Sequence, residues 1–302
     1  MLYGGIMRRL VVFSFTVFVV NVLLASAVSE SNGTLDYQHG SFDGSEGKGL
    51  SGSYAFPFGD QMGFQIEGSY SDISDRDFYG VGGQLFWRDS QTGMMALRAA
   101  GMKENDLLDA WTLMAHAEAY AGPWTFGAEA GHAQIDYEGG SLSFIESDPA
   151  DWHGAVSAGV YPLEDLFVSV AYRNSLANGV TVVEAEFQSP VKGVSLFGNV
   201  ATGDHDYDHA FGGIRLYFGS SKSLMARHRE DHSRNTLNTL RTQVGTYGRE
   251  YNAAERSFAI ENDLPIPSGS YGGVFNTLHD DFRESSTRSD GGGFNENDAT
   301  QI

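Results

Sequence analysis

Residues 32–218 form a series of short runs in which hydrophobic residues alternate with polar or small ones, with turn residues between the runs. The last run, Ala210–Phe218, shows the pattern: Ile214 and Leu216 share one face, and Arg215 stands on the other. A period of two is that of a β-strand whose two faces meet different environments. We count about twelve runs, within a range of about 10 to 14, so the sequence predicts an all-β domain of antiparallel strands.

Most runs carry a hydrophobic face, and aromatic residues often stand near its ends. Interfacial aromatic girdles of this kind are typical of membrane barrels, so we interpret these faces as lipid-facing. The clearest sets are Phe64, Ile66 and Tyr70; Tyr79, Val81, Leu85 and Trp87; Trp111, Leu113, Ala115 and Ala117; Trp124, Phe126, Ala128 and Ala130; Trp152, Val156, Ala158 and Val160; Leu166, Val168, Val170 and Tyr172; Val183, Ala185 and Phe187; and Val194, Leu196 and Val200.

The last run ends in Phe218, with Leu216 two and Ile214 four positions earlier. This arrangement resembles the closing strand of Gram-negative outer-membrane β-barrels, which the barrel-assembly machinery reads as a signal. The resemblance covers residues 1 to about 218 and does not identify a porin-like or OmpA-like subfamily. It implies a transmembrane β-barrel in the outer membrane, with outer-membrane lipid, lipopolysaccharide and the barrel-assembly machinery as partners.

The connections between runs also fit a barrel if its first strand starts in the periplasm. One alternate set is short and turn-like: 57–61, 89–92, 122–123, 162–165 and 189–192. The other set is expected to be mostly longer and mostly acidic: 43–48, 72–77, 103–109, 136–151, 174–179 and 203–208. Short turns on one side and long loops on the other are usual for outer-membrane barrels. The same count returns Phe218 to the periplasm.

The chain before residue 28 has the features of a secretory signal peptide. Arg8 and Arg9 precede an apolar run, Leu10–Leu24, and Ala25-Ser26-Ala27 forms an A-x-A cleavage site. An uncleaved membrane anchor is the alternative, but polar residues interrupt the run. We therefore predict a signal peptide at 1–27 and the barrel at 28–218.

Residues 219–302 differ from the barrel in composition, and we expect a periplasmic tail that is mostly disordered. One stretch, about 233–262, predicts a short helix because apolar residues recur at spacings of three and four. The helix could bind a periplasmic partner, self-associate, or form only against a partner. Its stripe consists of Leu237, Leu240, Val244, Tyr247, Tyr251, Ala254 and Phe258.

Charge and cysteine usage exclude several functions. The net charge is -20, and residues 28–218 alone hold 27 acidic and 8 basic residues, so nucleic acid is not an expected partner. The absence of cysteine excludes disulfides, thiolate metal sites and a cysteine nucleophile. We expect no cofactor.

The face opposite the lipid-facing sets carries charged residues of both signs. Charges inside a barrel must be paired or hydrated, because an isolated buried charge costs several kcal/mol. The excess of acid favours a narrow, cation-leaning pore, and the alternative is a salt-bridged network that fills the lumen. The predicted lumen residues are Asp36, Glu67, Arg88, Arg98, His116, Glu118, Glu129, Arg173, Glu184, Glu186 and Arg215.

Two other groups could carry chemistry. Asp204, Asp206 and Asp208 are spaced as alternate oxygen ligands and are candidates for a metal site in a surface loop. His39 and Ser41 share a lipid-facing strand face, and barrel closure would bring Asp208 close to them. A His-x-Ser pair facing lipid resembles the site of lipid A deacylases, with serine as nucleophile and histidine as base.

The main functional hypothesis is a non-enzymatic outer-membrane barrel, either a narrow porin-like channel or a structural membrane protein. The alternatives are a lipid-facing or surface-loop hydrolase and a secreted soluble β-sandwich that binds ligands or surfaces.

Overall fold

The computed structural model describes residues 30–261 except 43, 59–60, 74–75, 105–107, 138–149, 176–177, 205–206, 220, 232 and 234–235. Twelve antiparallel strands form one closed barrel, in which each strand pairs with its neighbours in sequence and the first pairs with the last. The predicted all-β barrel of about twelve strands is confirmed. The sandwich alternative is wrong, because the strands form a single sheet that closes on itself.

The strands are β1 (Asn32–Phe42), β2 (Ser45–Pro57), β3 (Met62–Ile73), β4 (Arg76–Asp89), β5 (Gly93–Glu104), β6 (Leu108–Ala121), β7 (Trp124–Tyr137), β8 (Ala150–Leu163), β9 (Leu166–Ser175), β10 (Asn178–Gln188), β11 (Val194–Gly203) and β12 (Asp208–Phe218). Two helices follow, α1 (Leu224–Glu230) and α2 (Thr236–Glu261). No helix in the described part of the chain is long and apolar enough to cross a membrane.

The seam between β1 and β12 defines the two ends of the barrel. Gly33 pairs with Phe218 at one end, and Phe42 pairs with His209 near the other. We call these the Phe218 end, where β12 finishes, and the Tyr207 end, where Tyr207 precedes β12. Ile214, Leu216 and Phe218 point outward along this seam, as the period-two pattern predicts.

The outer face of the barrel is apolar. Residues predicted to face lipid are largely exposed, with Val81 at 70% and Val156 at 61%. Soluble monomers rarely expose contiguous apolar patches larger than a few hundred Å², so a belt of this kind needs an apolar surrounding. The exposed members include Ile66, Tyr79, Leu85, Trp111, Leu113, Trp124, Phe126, Trp152, Val168, Val170, Tyr172, Val183, Phe187, Leu196 and Val200.

The predicted contrast between long and short connections is wrong for most of the barrel. Strands extend into the polar stretches that we assigned to loops; Asp72 and Asp77, for example, are paired residues of β3 and β4. The connections at the Tyr207 end shrink to 43–44, 74–75, 105–107, 176–177 and 204–207, and only 138–149 is long. The connections therefore give little support to the assignment of one end to the periplasm. The predicted signal peptide, 1–27, lies outside the described residues.

A charge placed on the middle of the apolar belt tests whether it faces lipid. We expect Ala115→Arg, at an exposed position near the middle of β6, to lower the free energy of unfolding in phospholipid vesicles by about 2–4 kcal/mol. Ala115→Leu should be tolerated at the same position. Urea unfolding of both variants checks this. Equal stability of the two variants would contradict a lipid-facing belt.

Candidate functional site

The lumen of the barrel is occupied by the chain that follows the closing strand. The helix α2 packs against β3, β4, β5, β6 and β7, and α1 packs against β4 and β9. We define the plug segment as the described residues of 221–248, which contain α1 and the first half of α2. The expectation of a separate periplasmic tail is therefore wrong for the plug segment, which lies inside the barrel.

At the Phe218 end, hydrogen bonds hold α1 to the turns and strand ends. The backbone N–H of Leu224 donates to Asp165 Oδ1 at 3.0 Å, and Arg227 Nε donates to Gln188 Oε1 at 3.0 Å. Arg229 Nη2 donates to the carbonyl oxygen of Trp124 at 2.9 Å. The seven-residue helix is thus fixed at the barrel rim by partners from one turn and two strand ends.

In the middle of the lumen, β3 holds the start of α2. Glu67 Oε2 accepts from the backbone N–H groups of Thr236, at 2.7 Å, and Leu237, at 3.3 Å. Its Oε1 accepts from Thr236 Oγ1 at 3.3 Å. The first N–H groups of a helix have no partner within the helix and form its positive end, so a carboxylate here supplies both acceptors and charge. Glu67 thus acts as an N-terminal cap from another element of the fold.

Two neighbouring side chains fix the residue that leads into α2. Gln65 accepts from the backbone N–H of Ser233 at 3.0 Å and donates to its carbonyl oxygen at 3.1 Å. Arg98 Nη2 donates to Ser233 Oγ at 2.8 Å. Both side chains are buried, and the backbone N–H and carbonyl groups of Ser233 are satisfied by Gln65 on the inner side of the barrel wall.

A second network surrounds Glu129 on β7. Arg173 Nη1 donates to Glu129, and Arg98 and His116 lie 3.8 and 3.5 Å from its Oε2. Thr239 of α2 accepts from Arg173 at 2.8 Å. The carboxylate is therefore surrounded by cationic or donor groups from several strands, and α2 joins this network.

A third network centres on Arg215 of β12. Its guanidinium donates to both carboxylate oxygens of Asp36, at 2.8 and 2.9 Å, and to Glu186 Oε2 at 2.6 Å. Tyr217 Oη donates to Glu186 Oε1 at 2.6 Å, and His228 of α1 lies 3.5 Å from the other oxygen. Arg215 of the twelfth strand thus joins carboxylates of the first and tenth strands in a filled part of the lumen.

The residues predicted to line the lumen lie on the inner side of the wall. Asp36, Glu67, Arg88, Arg98, His116 and Glu186 are buried. Glu118, Arg173, Glu184 and Arg215 line a cavity beside the helices, and Glu129 lies within the network described above. Arg88 has no carboxylate partner among the described residues: its Nη2 contacts the sulfur of Met94, its guanidinium lies over the ring of Phe86, and its Nε and Nη1 have no hydrogen-bond partner there.

At the Tyr207 end, apolar packing replaces the polar networks. Leu237, Leu240, Val244 and Tyr247 of α2 are buried in one cluster with side chains of the barrel, among them Phe42, Phe78, Met102, Ile135, Tyr207 and Phe211. A β-carbon at Gly245 would lie 2.6 Å from the ring of Phe42. Glycine therefore allows the close approach of α2, although it weakens the helix itself. These four residues of the predicted stripe pack against the barrel wall. The side chains of Tyr251, Ala254 and Phe258 lie outside the described part of the structure.

A polar cavity remains beside the helices, with about 1280 Å³ of space not filled by atoms when the part open to solvent is included. Its wall includes Glu118 and Glu184 together with Arg229 and Arg241 of the plug segment. Arg241 donates to Asn238 Oδ1 at 2.9 Å and lies over the ring of Phe211, without a carboxylate partner among the described residues. The cavity is therefore not the acidic passage that the strands alone predict.

Sequence reasoning missed the cations that the plug segment adds to the lumen. Arg227, Arg229 and Arg241 come from a stretch that we assigned to a separate tail. The available signal was charge: Arg227, His228 and Arg229 follow directly after a barrel domain with a large excess of acid. Positive charge so close to the end of an acidic barrel indicates that this segment contacts the barrel.

The predicted chemical sites are not assembled within the described residues. His39 and Ser41 lie on the outer side of β1, and the described carboxylate nearest to His39 is that of Glu46, at 3.9 Å. Asp208 is exposed, and Asp204 accepts from the backbone N–H of Gly179 at 2.7 Å. No group of three or more potential metal ligands occurs in the part of the chain that the structure describes, and Asp206 lies outside it.

The fold and the filled lumen define a twelve-stranded barrel with an internal plug. No family model matches the chain. No curated protein matches it either. Among solved structures, it is similar to the KdgM porin, with 8% identity, a TM-score of 0.48, and coverage of 62% of this chain and 99% of that one.

Two further barrels have comparable similarity. The translocator domain of the autotransporter NalP from Neisseria meningitidis has 12% identity and a TM-score of 0.42, over 71% of this chain and 94% of that one. The outer membrane protein Omp33 of Acinetobacter baumannii has 13% identity and a TM-score of 0.42, over 63% of this chain and 99% of that one. These similarities are too distant to carry a functional argument.

Removing the charge of Glu67 should loosen the plug segment. We expect Glu67→Gln to lower the free energy of local opening at the start of α2 by about 1–3 kcal/mol, since hydrogen bonds to charged groups contribute about that much. Hydrogen–deuterium exchange of peptides covering Thr236–Tyr247 measures it. Glu184→Gln is the matched control, because among the described residues Glu184 has no hydrogen bond to the plug segment. Unchanged exchange in Glu67→Gln would show that the cap does not hold the helix.

Proposed function

We propose that this chain is a porin-like outer-membrane channel protein of a Gram-negative bacterium whose lumen is closed by its own plug segment. The observation that carries the proposal is the packing of α2 against Phe42, Tyr207 and Phe211, which fills the Tyr207 end while a polar cavity persists beside the helix. An α-helix with side chains is about 10–12 Å across, so a barrel that holds one has room for a passage once the helix leaves.

The outward-facing surface supports placement in a membrane. Its apolar, aromatic-bordered belt suits the outer-membrane lipid and lipopolysaccharide that we propose as its surroundings. Ile214, Leu216 and Phe218 are exposed at the end of β12, where the barrel-assembly machinery could bind them. Because the count of strands returns this closing strand to the periplasm, we propose that the Phe218 end faces the periplasm.

We propose that the barrel prefers cations when the plug segment is absent from its lumen. The predicted lumen residues of the strands contain more carboxylates than guanidinium groups, whereas the plug segment adds Arg227, Arg229 and Arg241. With the plug in place, the cavity wall carries both signs. Removal of the plug would leave an excess of acid, which favours cations in a narrow pore.

Two truncations test this proposal in planar lipid bilayers. Deleting 219–302 removes the plug segment and leaves Phe218 as the last residue, whereas deleting 262–302 keeps both helices. We expect the first variant to give single-channel conductance at least several-fold above that of the full chain, with a reversal potential in a KCl gradient that indicates cation preference. The second variant should behave like the full chain.

Each alternative outcome is distinct. A correctly folded 219–302 deletion without conductance would overturn the channel function and favour a structural membrane protein. Equal conductance in both truncations and in the full chain would show that the plug does not close the lumen. Heat-modifiable migration on a gel confirms that each variant has formed a barrel.

A further inference from the structure

The plug segment runs through the barrel in one direction. Arg229 contacts the carbonyl oxygen of Trp124 at the Phe218 end, and Ser233 is bound in the middle by Gln65. Further along, Gly245 lies against Phe42, the last residue of β1, at the Tyr207 end. The chain thus enters the lumen at the end where β12 finishes and reaches the opposite end within α2.

The helix does not stop where the barrel does. It is continuous from Thr236 to Glu261, so sixteen residues follow Gly245, which itself lies at the level of the Tyr207 end. At a rise of 1.5 Å per residue, this part of α2 has a length of about 24 Å. Burial changes along the same direction, since Val244 and Tyr247 are buried and Ser257 is exposed.

We infer that α2 carries the chain through the lumen of its own barrel, so that the residues after Glu261 lie on the opposite side of the membrane from Phe218. If the Phe218 end faces the periplasm, the C-terminal residues are displayed on the cell surface. The barrel then has a second function besides a channel: it exports and anchors its own C-terminal segment, with α2 as the transmembrane connection inside the lumen.

The contacts along the path hold the helix in place while the lumen is closed. The bonds of α1 and the cap at Glu67 hold the entrance and middle of the path, and the apolar cluster holds the exit. The backbone polar groups within α2 bond to one another, which is how a chain can cross a membrane without unsatisfied donors. A helix in this position needs no lipid-facing apolar surface, because the barrel wall surrounds it.

The absence of native cysteine makes the inference directly testable by thiol labelling of the full chain in intact cells. Single cysteines replace Ser257 on α2, Ile302 at the C-terminus, Asp109 at the Tyr207 end and Lys192 at the Phe218 end. Asp109 and Lys192 are exposed and serve as reference positions for the two sides. A membrane-impermeant maleimide is applied before and after permeabilisation of the outer membrane.

Of the two reference positions, one should react before permeabilisation and the other only after it. We expect Ser257→Cys and Ile302→Cys to react at the same step as Asp109→Cys, and not at the step at which Lys192→Cys first reacts. Labelling of Ser257→Cys together with Lys192→Cys would overturn the inference. A Ser257→Cys thiol that never reacts would also overturn it, because a helix beyond the barrel is open to the reagent. The result is independent of conductance, so a protein that fails as a channel can still pass this test.

Discussion

The contact between Glu67 and the start of α2 fixes the position of α2 in the lumen. A helix that begins inside a barrel has N–H groups that neither its own turns nor bulk water satisfies, and the carboxylate of Glu67 accepts from two of them. Because this fixes the start of α2, it also fixes which residues meet the Tyr207 end. Gly245 then lies against Phe42.

The ionic groups of the lumen position the plug segment but contribute little to the net stability of the protein. Replacing a buried ion pair by well-packed apolar residues is often neutral or stabilising, whereas removing one partner is costly. Arg173 and Arg215 each bind carboxylates of other strands, and Thr239 and His228 add contacts from the plug segment. The observed placement of the segment satisfies these groups together, while the apolar cluster at the Tyr207 end supplies burial.

Some features of the site could be predicted from the sequence, and others could not. The inward direction of Glu67, Glu129 and Arg215 follows from alternation, because each residue lies one position away from an outward-facing one. Their partners do not follow, because pairing within the lumen depends on barrel closure. The loop lengths were predicted poorly, because polar residues such as Asp72 and Asp77 can continue a strand beyond the apolar belt.

The sequence by itself determined the strands and their two faces, and it favoured a barrel over a β-sandwich. A period of two with an apolar outer face is a local property, and enough strands of this kind close into a barrel because that removes their unpaired edges. It also determined that α2 has a stripe that needs a partner. Only the tertiary structure decided that the partner is the inner wall of the same barrel. The reason is that a stripe specifies the need for burial, whereas the shape and charge of the lumen, assembled from twelve distant strands, specify where that burial occurs.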